Sequence, residues 1–194
     1  LNVNPSLLGF GCMRFPKKED GTIDEVEAER MLDYAIESGV TYIDTAYPYH
    51  DGESEPFVGR VLKKYKREDF YLATKLPMFK IDSLEQAKEI LEEQMKRLDV
   101  DYVDFYLLHA LNKNKRKKVL DLNIIPYCEE LKKQGRIKNF GFSFHDDYEV
   151  FEEIINYRDW DFCQIQLNYI DTDIQAGMKG YKLTEEKNVP LVIM

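Results

Sequence analysis

The chain repeats one pattern, in which short runs of β-branched and aromatic residues alternate with amphipathic stretches. The runs begin 34, 29, 33, 35, 24 and 28 residues apart. The mean of about 30 is the length of one strand, one helix and two loops. Parallel strands need a crossover connection of this length, so the spacing predicts a parallel sheet with helices between its strands. The predicted strands cover residues 7–12, 41–46, 70–76, 103–109, 138–144, 162–168 and 190–194.

The stretches between these runs carry helix signals. Thr22 and Ser83 each precede an acidic or amide residue by three positions, which predicts a capping box at the start of two helices. Residues 126–135 begin with proline and end in glycine, and residues 147–157 have an apolar face at helical spacing. About six helices are therefore expected among the seven strands.

This alternation is typical of an α/β fold, either a doubly wound sheet or a (β/α)8 TIM barrel. A doubly wound dinucleotide-binding domain should show a GxGxxG turn after its first strand, but residues 9–14 offer only two glycines. The near-constant period favours the barrel, in which every unit is equivalent. Eight units need roughly 240 residues. We therefore expect residues 1–194 to be a single TIM-barrel domain, truncated before its last helices and eighth strand.

Composition and charge exclude several function classes. The 27 Lys and Arg residues against 36 Asp and Glu give a formal net charge of −9, which disfavours a nucleic-acid-binding or polybasic membrane-binding surface. No apolar run approaches the roughly 18 residues of a membrane-spanning helix. Cys12, Cys128 and Cys163 are too far apart for a CxxC metal site and suggest no disulfide framework, so a reduced, cytoplasmic location is expected.

Five consecutive predicted strands each contribute a polar side chain. In a parallel barrel the active site forms at the carboxyl ends of the strands, so these side chains should meet at one rim. Tyr49 lies in a short loop after the first of these strands and can return to the same rim. Each residue alone has a structural explanation, such as a helix cap for an aspartate, but the convergence of the set favours a site. The residues are Asp44, Lys75, His109 and Ser143 near the ends of four strands, and Gln164 within the sixth strand.

These side chains can supply a proton to an oxygen atom. A tyrosine phenol has a pKa of about 10 and keeps its proton at neutral pH, and a lysine cation within about 4–6 Å makes that proton easier to release. We interpret Tyr49 as a general acid, Lys75 as the cation beside it and Asp44 as the carboxylate that holds Lys75. His109 can hydrogen-bond a carbonyl and orient it. Carbonyl reduction by a nicotinamide hydride needs such an acid.

Six motifs give the chain a likeness to a known family. They are LGFGCM at 8–13, IDTAYPY at 43–49, ATK at 73–75, DFYLLH at 104–109, IKNFGFSF at 137–144 and QIQLNY at 164–169. With these motifs the chain resembles the aldo-keto reductases along its whole length. The resemblance implies a catalytic tetrad of Asp44, Tyr49, Lys75 and His109. It implies a cofactor site, without metal ligands, formed by Gly11, Cys12, Met13, Asp44, Ser143 and Gln164.

The resemblance further implies that NADPH, or less often NADH, reduces small-molecule aldehydes or ketones. The charge balance predicts that neither a nucleic acid nor a membrane is a partner. Phe144 and Met194 stand where many members carry an asparagine and a tyrosine. Details of the motifs resemble a bacterial branch that often carries a ferredoxin-like region, so an iron–sulfur cluster is expected only with a C-terminal extension. The alternative is a nucleotide-sensing or scaffolding protein on the same barrel. The oligomeric state stays open.

A basic run covers residues 113–118, with five Lys or Arg residues in six positions after His109. One interpretation is a solvated approach to the fourth helix. The other is a basic lip at the mouth of the site that attracts an anionic substrate.

Overall fold

The computed structural model describes residues 3–194 and arranges seven strands in one sheet, in the order in which they occur along the chain. Each strand is parallel to its neighbours, and the sheet curls into part of a (β/α)8 barrel. The predicted fold class is confirmed. The strands are β1 (Gly9–Gly11), β2 (Tyr42–Asp44), β3 (Tyr71–Leu76), β4 (Val103–Leu111), β5 (Ile137–Phe144), β6 (Phe162–Ile165) and β7 (Leu191–Ile193).

Seven α-helices connect these strands within residues 3–194. This is one more than expected, because the crossover from β4 to β5 contains two helices. The helices are α1 (Glu25–Glu37), α2 (Ser54–Leu62), α3 (Leu84–Leu98), α4 (Lys113–Asp121), α5 (Ile124–Lys133), α6 (Tyr148–Ile155) and α7 (Gly177–Lys187). None of them combines the length and apolar character that crossing a bilayer requires.

Local hydrogen bonds decide where the helices begin. Ser83 caps α3 as predicted. The prediction that Thr22 caps α1 is wrong: the cap is Asp24, whose carboxylate accepts from the Glu27 amide at 3.3 Å. Thr22 instead bonds to Asp20 and belongs to the preceding turn.

The basic run is itself helical, and the expectation that it only leads to a helix is wrong. Asn112 caps α4 by accepting from the amide of Lys115 at 2.9 Å, which satisfies one of the free donors of the first turn. Within α4, Val119 is buried, whereas Lys113 and Lys117 are exposed.

The apolar core has two parts. The larger lies between the sheet and the helices, and the smaller fills the concave side of the sheet. Bulky rings pack edge to face in the smaller part, where Phe105 lies 5.1 Å from Tyr42 and 5.0 Å from Phe162 between ring centroids. This interior cluster forms the floor beneath the strand ends.

Close packing of α2 on α3 depends on Gly59. A Cβ at this position would lie 2.6 Å from the Arg97 carbonyl oxygen and 2.7 Å from that of Leu98, both backbone atoms. Gly11 differs, because a Cβ there meets no atom within 4 Å.

We expect Gly59→Ala to lower the free energy of unfolding by about 2 kcal/mol. Overpacking against backbone costs up to about 3 kcal/mol. The better helix propensity of alanine offsets about 1 kcal/mol of this cost. Urea unfolding followed by circular dichroism measures the change, with Gly11→Ala as the control. Equal unfolding midpoints for Gly59→Ala and the parent protein would show that this contact does not limit the packing.

Candidate active site

Alternation along the strands points the strand-end polar residues into the barrel. Tyr42 and Ala73 belong to the interior cluster, and Asp44 and Lys75 follow them by two positions on β2 and β3. Residues two apart in a strand share one face of the sheet, so these side chains lie just above the apolar floor. The residues that share this placement are Asp44, Lys75, His109, Ser143 and Gln164.

Lys75 is the most enclosed charge of the site, with 1% of its surface exposed. Its ammonium group donates to the Asp44 carboxylate, to the Thr45 carbonyl at 2.9 Å and to the Tyr49 phenol oxygen at 3.1 Å. Burial alone would lower the pKa of Lys75, but Asp44 and Tyr49 outweigh it and the pKa is raised. Lys75 is therefore a cation at neutral pH. Removing one partner of such a buried pair costs about 3–5 kcal/mol.

Tyr49 begins a 3₁₀ turn, Tyr49–Gly52, that brings its phenol back over the strand ends. The Lys75 Nζ atom lies 4.8 Å from the centre of the Tyr49 ring. The His109 ring packs edge to face against the Tyr49 ring, with 5.9 Å between the ring centroids. Burial raises the pKa of Tyr49 above its ordinary value of 10.0, although the charge of Lys75 opposes this effect. The phenol therefore keeps its proton at neutral pH and can act only as a proton donor there.

His109 is held neutral. Burial, followed by the charges of Lys75 and Lys115, lowers the pKa of His109 from 6.5 to about 3. Within residues 3–194 its Nδ1 atom is buried without a hydrogen-bond partner. A neutral imidazole has one donor and one acceptor nitrogen, so His109 can donate one hydrogen bond to an oxygen above Tyr49.

We expect the imidazole signals of His109 to stay constant between about pH 8 and pH 5, because a pKa of about 3 leaves the ring neutral throughout this range. The unfolded chain binds a proton near pH 6.5, so His109 also makes the folded state less stable as the pH falls from 6.5 toward 3. Proton–carbon NMR measures the titration, and His109→Asn identifies the signal. A midpoint near pH 6 for this signal would contradict the burial argument.

Gln164 and Ser143 form a pair with one free acceptor and one free donor. They are direct neighbours in the pairing of β5 with β6, and both are almost fully buried. Gln164 donates to Asp44 Oδ2 at 3.3 Å, but its Oε1 atom has no partner within the described residues. Ser143 Oγ accepts from the Ala110 amide at 2.7 Å, which leaves its hydroxyl proton to donate. A primary carboxamide offers the complementary amino group and carbonyl.

The loop after β1 is close to Asp44 through its backbone. The Cys12 amide donates to the Asp44 carbonyl at 2.8 Å, and the Cys12 carbonyl accepts from Ser54 Oγ at 3.2 Å. The Cys12 thiol points into the core, where burial raises its pKa well above 9.0. Gly11 and Met13 are exposed on either side. Of these three residues, Gly11 and Met13 can present surface to a ligand, and Cys12 contributes its backbone.

All three cysteines are buried free thiols. In the part of the chain that the structure describes, no group of three or more His, Cys, Asp or Glu side chains is placed to hold a metal ion.

A buried polar network behind β3 lies outside the set predicted from the sequence. The Glu55 carboxylate accepts from Thr74 Oγ1 at 2.6 Å and from Gln94 Nε2 at 2.8 Å. The same Gln94 amide lies 3.1 Å from the carbonyl oxygen of Lys75. The network therefore braces the strand end that carries Lys75. Its sequence signal is a polar residue on an apolar helix face, since Gln94 follows the buried Leu91 by three positions on α3.

Comparison with known proteins gives a match along almost the entire chain. The model of a family described as "Aldo/keto reductase family" matches residues 7–194. A soybean (Glycine max) protein named "Probable aldo-keto reductase 1" is 32% identical over 146 residues, which cover 71% of this chain and 41% of that protein. The chain thus spans less than half the length of this curated relative.

Solved structures show the same fold. The holo form of aldo-keto reductase AKR11C1 from Bacillus halodurans superposes with a TM-score of 0.81 at 30% identity, over 99% of this chain and 62% of that one. An aldo-keto reductase from Klebsiella pneumoniae in complex with NADPH has a TM-score of 0.69 at 23% identity, over 94% of this chain and 61% of that one.

Proposed function

The chain belongs to the aldo/keto reductase family, and from this premise we propose that the protein reduces aldehydes or ketones to alcohols with hydride from NADPH or NADH. The observation that carries the proposal is the buried contact of Lys75 with both Asp44 and Tyr49, next to the neutral His109. In this arrangement the Tyr49 phenol keeps its proton and has the Lys75 cation beside it. Protonation of a carbonyl oxygen requires such an acid.

The cofactor, when bound, supplies the hydride that adds to the carbonyl carbon. Gln164 Oε1 would accept from the amino group of the nicotinamide carboxamide, and the Ser143 hydroxyl would donate to its carbonyl. Gly11 and Met13 would border the cofactor, with Cys12 contributing backbone. Asp44 belongs to this site as well, because its carboxylate anchors Gln164. The fit rests on the unpartnered Oε1 atom of Gln164, which is costly unless a ligand satisfies it.

Tyr49 supplies the proton. As hydride reaches the carbonyl carbon, the oxygen gains negative charge and takes the phenolic proton. Lys75 stabilises the phenolate that remains, and Asp44 keeps Lys75 charged and in place. The phenolate recovers its proton from solvent after the alcohol leaves.

His109 positions the substrate but does not protonate it. Burial, followed by the charges of Lys75 and Lys115, lowers the pKa of His109 to about 3, so its imidazole is neutral at pH 7. Tyr49 is therefore the acid, and the neutral His109 donates a hydrogen bond that holds the carbonyl oxygen near the phenol.

No specific observation favours the alternative of a nucleotide-sensing or scaffolding protein. Binding a nucleotide requires no buried lysine–carboxylate pair beside a phenol, and such a pair is expensive to keep. Nothing in residues 3–194 or in the comparisons supports an iron–sulfur cluster, and the proposal contains none.

We expect Tyr49→Phe to lower kcat for aldehyde reduction by about 10²–10⁴-fold, because the variant keeps the ring and loses the acidic proton. The assay follows NADPH consumption with 4-nitrobenzaldehyde in the full-length protein, and quenching of protein fluorescence measures the Kd for NADPH. That Kd should stay unchanged.

Tyr47→Phe is the matched control. Tyr47 lies two residues away, and its hydroxyl donates to Glu93 on the protein surface at 2.7 Å. Full activity in Tyr49→Phe, or equal losses in the two variants, would refute the assignment of Tyr49 as the acid.

A further inference from the structure

Lys115, in the first turn of α4, lies at the mouth of the site. Its Nζ atom donates to the Ala110 carbonyl at 2.8 Å and lies 6.0 Å from the centre of the Phe79 ring. Phe79 is half exposed, and its ring centre is 6.3 Å from that of His109. The ammonium group therefore lies beside His109, next to an exposed aromatic surface.

Lys115 and Lys113 are the two cations of the basic run that form no ion pair with a carboxylate among residues 3–194. Arg116, Lys117 and Lys118 form ion pairs with Glu153, Asp121 and Asp82, respectively. These pairs cancel the charge of most of the run, so the run as a whole is not a basic lip. Lys113 is exposed to solvent, whereas Lys115 is half buried. A partly buried cation without a counter-ion is unfavourable, and an anion beside it would relieve the cost.

Lys115 adds a positive charge to the mouth of the site in a chain whose net charge is −9. Burial lowers the pKa of Lys115, which agrees with the lack of a counter-ion. The charges of Lys115 and Lys75 also add to the effect of burial in lowering the pKa values of His109 and His145. Both lysines thus contribute positive charge near His109 and His145, and of the two only Lys75 is paired with Asp44.

We propose that Lys115 binds an anionic group on the carbonyl substrate, so that the site prefers aldehydes or ketones that carry such a group over neutral ones. The inference rests on the proposed reductase function, in which Tyr49 and His109 hold the carbonyl oxygen. The Phe79 ring lies 6.3 Å from the His109 ring and 6.0 Å from Lys115 Nζ, and it offers an apolar face for the part of the substrate that joins the two polar ends.

The test compares meta- and para-carboxybenzaldehyde with their methyl esters, which have similar shape but no charge, in the full-length protein. Lys115→Gln keeps a donor for the Ala110 carbonyl and removes the charge. We expect it to raise KM for the acids about ten-fold or more and to leave KM for the esters within about two-fold, because a hydrogen bond to a charged group is lost. Lys115→Arg should retain the preference for the acids.

Lys117→Gln is the control, since it removes the same charge from the same helix at an exposed position paired with Asp121. It should leave the ratio of KM values for acid and ester unchanged. Added salt should weaken the preference in the parent protein, because it screens the charge of Lys115.

Three results with Lys115→Gln, and two with the parent protein, would overturn the inference. An equal effect of Lys115→Gln on acids and esters would mean that Lys115 only supports the Ala110 carbonyl. A raised Kd for NADPH would mean that the Lys115 charge binds the cofactor instead of the substrate. Unchanged kinetics would mean that it binds neither. If the parent protein reduces neither acids nor esters, the reductase function is wrong and the inference falls with it. If it reduces both without a preference, the inference alone fails.

Discussion

The buried charge of Lys75 is the constraint on which the site depends. An ammonium group inside a barrel must have a carboxylate partner, and Asp44 at the end of the preceding strand provides it. The other Asp44 oxygen accepts from Gln164 on β6, so one carboxylate links strands on opposite parts of the curled sheet. Behind β3, Gln94 holds the carbonyl of Lys75. The ion pair therefore fixes the relative positions of three strand ends, and with them the proposed acid and the proposed carboxamide site.

Burial and charge give Tyr49 and His109 different protonation behaviour. Burial favours the neutral form of both groups, which raises the pKa of the phenol and lowers that of the imidazole. Lys75 acts in the same direction as burial on His109 but opposes it on Tyr49. As a result the imidazole carries no transferable extra proton at neutral pH, whereas the phenol keeps its proton with a cation ready to stabilise its loss. The two roles follow from one lysine charge.

Much of the fold follows from the sequence because its signals are local. The β-branched and aromatic runs at a 30-residue period identify all seven strands, and the strand-end positions of Asp44 and Lys75 place both at one rim. Strand ends are less certain: β6 stops at Ile165 rather than Asn168, because Asn168 accepts from the amides of Ile170 and Asp171 and forms a turn.

Other features depend on tertiary contacts and could not be read from the chain. The sequence does not predict helix α4, because the basic run lacks the apolar face that indicates a helix. Only the folded structure shows that three charges of this run are paired, that Lys113 and Lys115 are not, and that Lys115 alone of these two is half buried. The roles of Glu55 and Gln94 likewise need the packing of α2 and α3 against β3. The direction of the Tyr49 pKa shift depends on how deeply the phenol is buried, because burial raises the pKa by more than the charge of Lys75 lowers it.

The pKa of the Tyr49 phenol, measured by NMR of ζ-carbon-labelled tyrosine in the parent protein and in Lys75→Met, tests the central claim most directly. Tyr49→Phe identifies the signal, and circular dichroism verifies the fold of the variant. The parent pKa should lie above 10.0 because of burial, and Lys75→Met should raise it further because the opposing cation is gone. A pKa that stays the same or falls in Lys75→Met would contradict the claim that Lys75 eases proton release from Tyr49.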